Sequence, residues 1–158
     1  LRKKVQCWLP DLKYYDAETS GKYSDAPDYF ERASAAIEQM FKETGPYVIG
    51  SDGILQKGVL IRHLILPGQV EDTKRILEYV AETFEPGDVL FSLMRQYTPC
   101  GRAAEFPEID RRITDEEYEA CESYMEELGI IDGYVQQKES AEAAFIPAFD
   151  GTGVLRKR

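Results

Sequence analysis

Five polar residues stand at or near the ends of apolar runs in this sequence, and their side chains are suited to binding a small charged molecule. They are Asp11, Lys13, Arg62, Gln96 and Tyr97. Short apolar runs predict buried strands, and ligands of parallel sheets bind beyond the carboxyl ends of the strands. The pattern therefore predicts a polar pocket at one sheet edge, and it assigns neither a catalytic residue nor a metal ligand.

Arg62 and His63 are neighbours in an otherwise apolar run, so their side chains point to opposite faces of a strand. An unpaired buried guanidinium is costly, so Arg62 needs a carboxylate, a phosphate or a ligand. A structural ion pair with Asp11 or a helix carboxylate and a ligand contact both stay open. Lys13 is open in the same way, because a solvated strand-end lysine is an equal alternative. His63 has no second His or Cys at metal-ligand spacing, which favours a packing residue.

The other chemically active side chains are interpreted as structural. Three cysteines are far apart and lack metal or redox spacing, which predicts reduced thiols at Cys7, Cys100 and Cys121. The segment from Glu105 to Arg112 is interpreted as a solvated loop leading into a helix. A solvated helix face, and no metal site, is predicted for Glu116, Glu117, Glu119 and Glu122.

Hydrophobic periodicity predicts an alternation of strands and helices. The predicted strands cover residues 5–10, 58–66, 89–94 and 133–137, and an Asp52-Gly53 hairpin joins 47–49 to 54–55. The predicted helices run from a cap at Asp25 to Gly45, from Val70 to Phe84, and from a capping box at Thr114 and Glu117 to Gly129. No helix or strand is assigned to the polar segment 16–21, and the tail from Phe145 to Arg158 is predicted to be irregular.

This alternation predicts one α/β domain over residues 1–158, with a parallel sheet and right-handed crossovers. The strand at 58–66 is apolar on both faces, which predicts that both faces are covered. Three or four strands suit a small open sheet or part of a (β/α) barrel. The chain begins almost inside its first strand, and this favours a fragment of a longer protein.

Composition excludes several classes of protein. The formal charge of −10 disfavours binding to a phosphate backbone, so no nucleic-acid partner is expected. No apolar run approaches the roughly 20 residues that span a bilayer, and the first residues lack a signal-peptide pattern. A cytoplasmic protein without a membrane partner is therefore the expectation.

Several sequence blocks together resemble a known family. They are Leu9-Pro10-Asp11-Leu12-Lys13-Tyr14, Tyr23-Ser24-Asp25-Ala26-Pro27-Asp28-Tyr29, Arg62-His63-Leu64-Ile65-Leu66-Pro67-Gly68, Gln96-Tyr97-Thr98-Pro99 and Asp110-Arg111-Arg112-Ile113-Thr114. In order and spacing they resemble the carboxyl-terminal half of radical S-adenosylmethionine iron-sulfur proteins related to the pyruvate formate-lyase activating enzyme. The similarity covers nearly the whole chain.

The resemblance implies a partial TIM-type (β/α) barrel with parallel strands and flanking helices. It also implies an oxidoreductase that cleaves S-adenosylmethionine to a 5′-deoxyadenosyl radical. The radical would act on a glycine of a partner protein, as in glycyl-radical activases, or on a small molecule. By the resemblance, Asp11, Lys13, Arg62 and either Gln96 or Tyr97 contact S-adenosylmethionine.

The chain departs from the family in one respect that decides its expected chemistry. The C-x-x-x-C-x-x-C loop that holds the family's 4Fe-4S cluster is absent, and three scattered cysteines cannot replace it. A full-length parent protein would carry the cluster, and the chain alone is expected to be inactive. The alternative is a catalytically inactive half-barrel that acts as a binding or scaffolding module, with self-association through its open edge.

Overall fold

Strands and helices alternate along residues 4–135, which the computed structural model describes; for Tyr134 and Val135 it describes the backbone alone. The strands are β1 (Cys7–Trp8), β2 (Val48–Ile49), β3 (Leu55–Leu64), β4 (Leu90–Met94) and β5 (Gly133–Val135). The helices are α1 (Ala17–Ser24), α2 (Tyr29–Thr44), α3 (Val70–Thr83) and α4 (Asp115–Glu127), with a short 3-10 helix at Gly101–Glu105. The predicted residues Gln136 and Gln137 of the last strand, and the predicted irregular tail, lie outside the described residues.

The sheet has the order β1-β3-β4-β5, and all of these neighbours are parallel. Arg62 of β3 lies opposite Ser92 of β4, and beyond the end of β1 a single bridge joins Asp11 to Arg62. The short strand β2 is antiparallel and pairs with the start of β3, as the hairpin signal predicted. The α/β class with parallel strands and flanking helices is thus confirmed. The described strands form an open sheet and do not close into a barrel.

The hydrophobic core lies on one face of this sheet. Alternate residues of β3 and β4, including Val59, Ile61, Phe91 and Leu93, are buried against α2, α3 and α4. The residues between them are half-buried and lie outside this core; we call Leu60, Arg62, Leu64, Ser92 and Met94 the open face. Leu90, which shares the side of the open face at the start of β4, is buried. The prediction that β3 is covered on both faces was therefore wrong for its second half.

Local sequence signals explain most helix ends. Thr114 and Glu117 form the predicted capping box at the start of α4, and Gly45 ends α2 with a positive φ of 68°. Helix α1 was not predicted. It begins because the Asp16 carboxylate accepts the Thr19 amide, and Asp25, with a left-handed φ of 57°, ends it. Asp25 is therefore not the cap of α2, whose N-cap position is taken by Asp28.

The one-sided core makes a prediction about stability. Ile61→Ala, in the core, should lower the free energy of unfolding by about 2–5 kcal/mol, because it leaves a cavity. Leu60→Ala, the matched control on the open face, should cost less than about 2 kcal/mol, because Leu60 is only half-buried. Urea unfolding measures both. Equal losses at the two positions would contradict a core confined to one face.

Candidate ligand-binding site

A cavity of about 150 Å³ lies at the carboxyl ends of β1, β3 and β4, on the open face. It is lined by Asp11, Lys13, Arg62, Leu64, Met94 and Gln96. Four of the five residues predicted for the site therefore meet at one place. Their chain segments converge there because the parallel strands end at the same edge of the sheet.

Arg62 and Asp11 form an ion pair across the β1–β3 bridge. The Arg62 Nη2 atom lies 2.6 Å from Asp11 Oδ1, and the two side chains are 42% and 34% exposed. The structural bridge that the sequence allowed is thus present. Arg62 Nε and Asp11 Oδ1 are nevertheless buried atoms without a hydrogen-bond partner among residues 4–135, because the ionic contact does not have hydrogen-bond geometry.

Lys13 and Gln96 complete the polar lining. The Lys13 ammonium lies 3.7 Å from Asp11 Oδ2 and its side chain is 48% exposed, so its charge is available to a ligand as well as to water. Gln96 continues the alternation of Ser92 and Met94 and so faces the cavity. Tyr97 does not line it. Its hydroxyl donates to the Ile109 carbonyl at 3.0 Å, and burial raises the pKa of the phenol.

His63 helps to hold the strand end from the core side. Its Nδ1 donates to the Leu12 carbonyl at 2.7 Å, and its Nε2 accepts from the Thr73 hydroxyl at 2.9 Å. The first bond fixes the tautomer, because a carbonyl oxygen can only accept. Both ring nitrogens are therefore used within the protein, in agreement with the predicted packing role. Burial lowers the pKa of His63 to about 4.

Asp72, which the sequence did not single out, fixes the loop that follows Lys13. Its carboxylate accepts the Asp16 amide at 2.7 Å and the Tyr15 amide at 3.1 Å. Burial raises the pKa of Asp72, and these two backbone donors oppose that rise. Its position in the first turn of α3 is the available sequence signal, but its partners lie far away in the chain.

Glu117 is likewise more than a solvated helix residue, and that prediction was wrong. Its carboxylate binds Arg111 through two contacts of 2.7 and 2.8 Å and also accepts the Gly68 amide at 2.7 Å. The Arg111 guanidinium, above all, lowers the pKa of Glu117 to about 2. Gly68 has a φ of 72° in the turn after β3, a conformation that suits glycine. Glu117 therefore ties this turn to the start of α4.

The cysteines do not form a metal site. All three are free; Cys7 is half-buried, Cys100 is exposed and Cys121 is buried. Burial raises the pKa of the Cys121 thiol to about 11, which keeps it protonated. Among residues 4–135 no group of three or more His, Cys, Asp or Glu side chains is arranged to hold a metal ion. The described residues therefore do not fit a 4Fe-4S cluster.

Comparison with known proteins adds one relative and no family. The chain is similar to an uncharacterized protein from Methanocaldococcus jannaschii, with 28% identity over 122 residues. The matched part is 75% of this chain and 31% of the relative, so the chain spans less than a third of that protein. No family model and no solved structure match the chain. None of the helices within residues 4–135 has the length and apolar character of a membrane span.

The buried His63 predicts a pH dependence of stability. Its folded pKa of about 4 lies below the ordinary value of 6.5, so between these values the unfolded chain binds more protons than the folded one. The stabilisation is complete above pH 6.5 and is lost as the pH falls toward 4. His63 is the one histidine of the sequence, so an NMR titration of its ring reports this residue alone.

We expect the folded ring to stay neutral at pH 5.5 and the free energy of unfolding to fall between pH 7 and 5. The carboxyl groups Glu108 and Glu117, whose folded pKa values are about 2, lose their contribution to stability at lower pH. A folded ring that titrates near 6.5 would contradict the buried, doubly bonded position.

Proposed function

We propose that this chain is the S-adenosylmethionine-binding part of a radical S-adenosylmethionine oxidoreductase, similar to the pyruvate formate-lyase activating enzyme. The observation that carries the proposal is the cavity at the strand ends, where Asp11, Lys13, Arg62 and Gln96 lie together. These residues are the ones that the resemblance assigns to S-adenosylmethionine. Gln96, and not Tyr97, is the member of the alternative pair that we place at the ligand.

The chemistry of the cavity suits this ligand. S-adenosylmethionine carries a carboxylate, an ammonium group, a sulfonium and two ribose hydroxyls. Arg62 and Lys13 can bind the carboxylate, Asp11 can accept from the ammonium or a hydroxyl, and Gln96 can donate or accept. Leu64 and Met94 supply apolar contact beside them. Because pockets for drug-sized ligands usually exceed about 300 Å³, a cavity of about 150 Å³ holds only part of the molecule.

The strand order supports the finer fold that goes with this function. Doubly wound sheets reverse their strand order at a switch point, whereas in a (β/α) barrel each strand lies beside the next one in the chain. The parallel strands β1, β3, β4 and β5 follow the second pattern. In this proposal they are part of a TIM-type barrel, and the open face turns toward the barrel interior.

In this proposal the chain binds and orients S-adenosylmethionine but does not hold the cluster. In the parent protein a 4Fe-4S cluster would supply the electron that cleaves S-adenosylmethionine to a 5′-deoxyadenosyl radical. Its thiolate ligands lie outside the described residues, whose cysteines do not fit it. The radical substrate in this proposal is a glycine of a protein partner or a small molecule.

Arg62 gives the direct test of ligand binding. Arg62→Ala should weaken S-adenosylmethionine binding by about 1–3 kcal/mol, roughly 5-fold to 150-fold in Kd, because a charge-assisted contact is lost. Arg32→Ala is the matched control, because Arg32 is exposed and pairs with Asp28, the N-cap residue of α2. It should leave the Kd unchanged. Isothermal titration calorimetry measures both, and a wild-type chain that does not bind S-adenosylmethionine would refute the proposal.

The parent protein offers a second test. If the source cells make a longer polypeptide with a C-x-x-x-C-x-x-C segment, that protein should be brown when purified without oxygen. It should release 5′-deoxyadenosine from S-adenosylmethionine after reduction, as measured by chromatography. A colourless full-length protein would count against the radical chemistry. The calorimetric titration would still test S-adenosylmethionine binding separately.

The open face favours one second candidate, a binding or scaffolding module without catalysis. Leu9 is 51% exposed, and the apolar side chains of Leu60, Leu64 and Met94 are only half-buried. Exposed apolar surface of this kind marks interaction sites. A chain that binds no S-adenosylmethionine and forms dimers at high concentration would favour this function over the first.

A further inference from the structure

The outer edge of the first strand carries an unusual pair of hydrogen bonds. In a strand, successive residues direct their backbone groups to opposite edges. The Pro10 carbonyl and the Leu12 amide face β3, where both bond to Arg62 at 2.9 Å. The Asp11 carbonyl and the Lys13 amide therefore face the other edge, away from the sheet.

A single hydroxyl satisfies both of these outward groups. The Tyr29 hydroxyl donates to the Asp11 carbonyl oxygen at 2.9 Å and accepts the Lys13 amide at 3.1 Å. Tyr29 is the first residue of α2, and its ring packs edge-to-face on Tyr14 with centroids 5.4 Å apart. The phenol thus takes the place of a neighbouring strand at this point of the edge.

We infer that Tyr29 is a positioning residue for the ligand site, an inference that rests on the proposed function. Asp11 and Lys13 are two residues apart, so their side chains share one side of the chain and both reach the cavity. Here the pairing with β3 is reduced to a single bridge. Tyr29 fixes the backbone on both sides of Leu12 and so sets the direction of the carboxylate and the ammonium.

The arrangement also limits where another strand can pair. With the outward groups of Asp11 and Lys13 bonded to Tyr29, any strand that adds to the outer edge of β1 must stop before Asp11. The side chains of Asp11 and Lys13, which line the cavity, would thus lie beyond the part of the edge that such a strand could pair with.

Removal of one hydroxyl tests the inference. Tyr29→Phe keeps the ring packing but loses both hydrogen bonds, and we expect the Kd for S-adenosylmethionine to rise about threefold to tenfold, as for one to two neutral hydrogen bonds. Tyr23→Phe is the matched control, because the Tyr23 hydroxyl donates to Glu108 on the exposed surface. The control should change the Kd less than twofold. No difference between the two variants would overturn the inference.

A double-mutant cycle separates positioning from general stability. If Tyr29 acts through the charged side chains, Tyr29→Phe should have little effect on the Kd when Asp11→Asn and Lys13→Ala are already present. A loss that persists in full in that background would show that Tyr29 does not act through them, and would overturn the inference.

A readout without ligand distinguishes failure of the inference from failure of the proposed function. In ¹H–¹⁵N NMR spectra, Tyr29→Phe should shift or broaden the Lys13 amide signal, and Tyr23→Phe should not. If the wild type does not bind S-adenosylmethionine, the proposed function fails, and this signal alone judges the positioning. An unchanged Lys13 amide in Tyr29→Phe would overturn it.

Discussion

The parallel strands β1, β3, β4 and β5 lie side by side in the same order as they occur along the chain. At least one helix lies in each connection between them. Crossovers between parallel strands are almost always right-handed, so consecutive crossovers in one direction place their helices on the same face. That constraint accounts for the one-sided core, with Ile61 and Leu93 buried under the helices. It also explains how a charged residue is accommodated near the carboxyl end of β3. The Arg62 side chain lies on the open face. The next residue, His63, lies on the face that the helices cover, where burial keeps its ring neutral and both ring nitrogens are hydrogen-bonded.

The Arg62–Asp11 pair is a weak source of stability. Both side chains are exposed enough for solvent to screen their attraction, and such pairs contribute about 0–1 kcal/mol. Their contact also leaves the buried atoms Arg62 Nε and Asp11 Oδ1 without hydrogen bonds among the described residues. By contrast, the surrounding backbone is fixed by many bonds, from His63, Tyr29 and Asp72. A rigid backbone frame around partly exposed charged groups is typical of a preorganised binding site.

Sequence patterns predicted the strongly periodic elements and missed the weakly periodic one. Helices α3 and α4 and strand β4 lie where the apolar spacing placed them, with ends within one or two residues of the prediction. Hydrophobic periodicity did not predict helix α1, because the helix is short and mostly polar. Its N-cap at Asp16 is a local signal that periodicity does not detect. The predicted cover on both faces of β3 failed because an apolar run does not reveal which face the helices occupy.

The sequence predicted those residues of the site that lie at the ends of strands. Asp11, Lys13 and Arg62 follow from the positions of the strands, and the choice between Gln96 and Tyr97 needed the observed register of β4. The supporting contacts could not be foreseen, because they join distant segments: Tyr15 to Asp72, and Gly68 to Glu117. No local pattern distinguishes such residues from solvated acids of a first helical turn.

We infer that a ligand binds on the open face, at the carboxyl ends of the strands. Mapping of ¹H–¹⁵N chemical shifts during titration with S-adenosylmethionine tests it most directly. We expect the largest changes to fall on Asp11, Lys13, Arg62 and Gln96. Changes centred instead on the cavity of about 130 Å³ at Val80, Phe84 and Leu128, or no changes at saturating ligand, would contradict this inference.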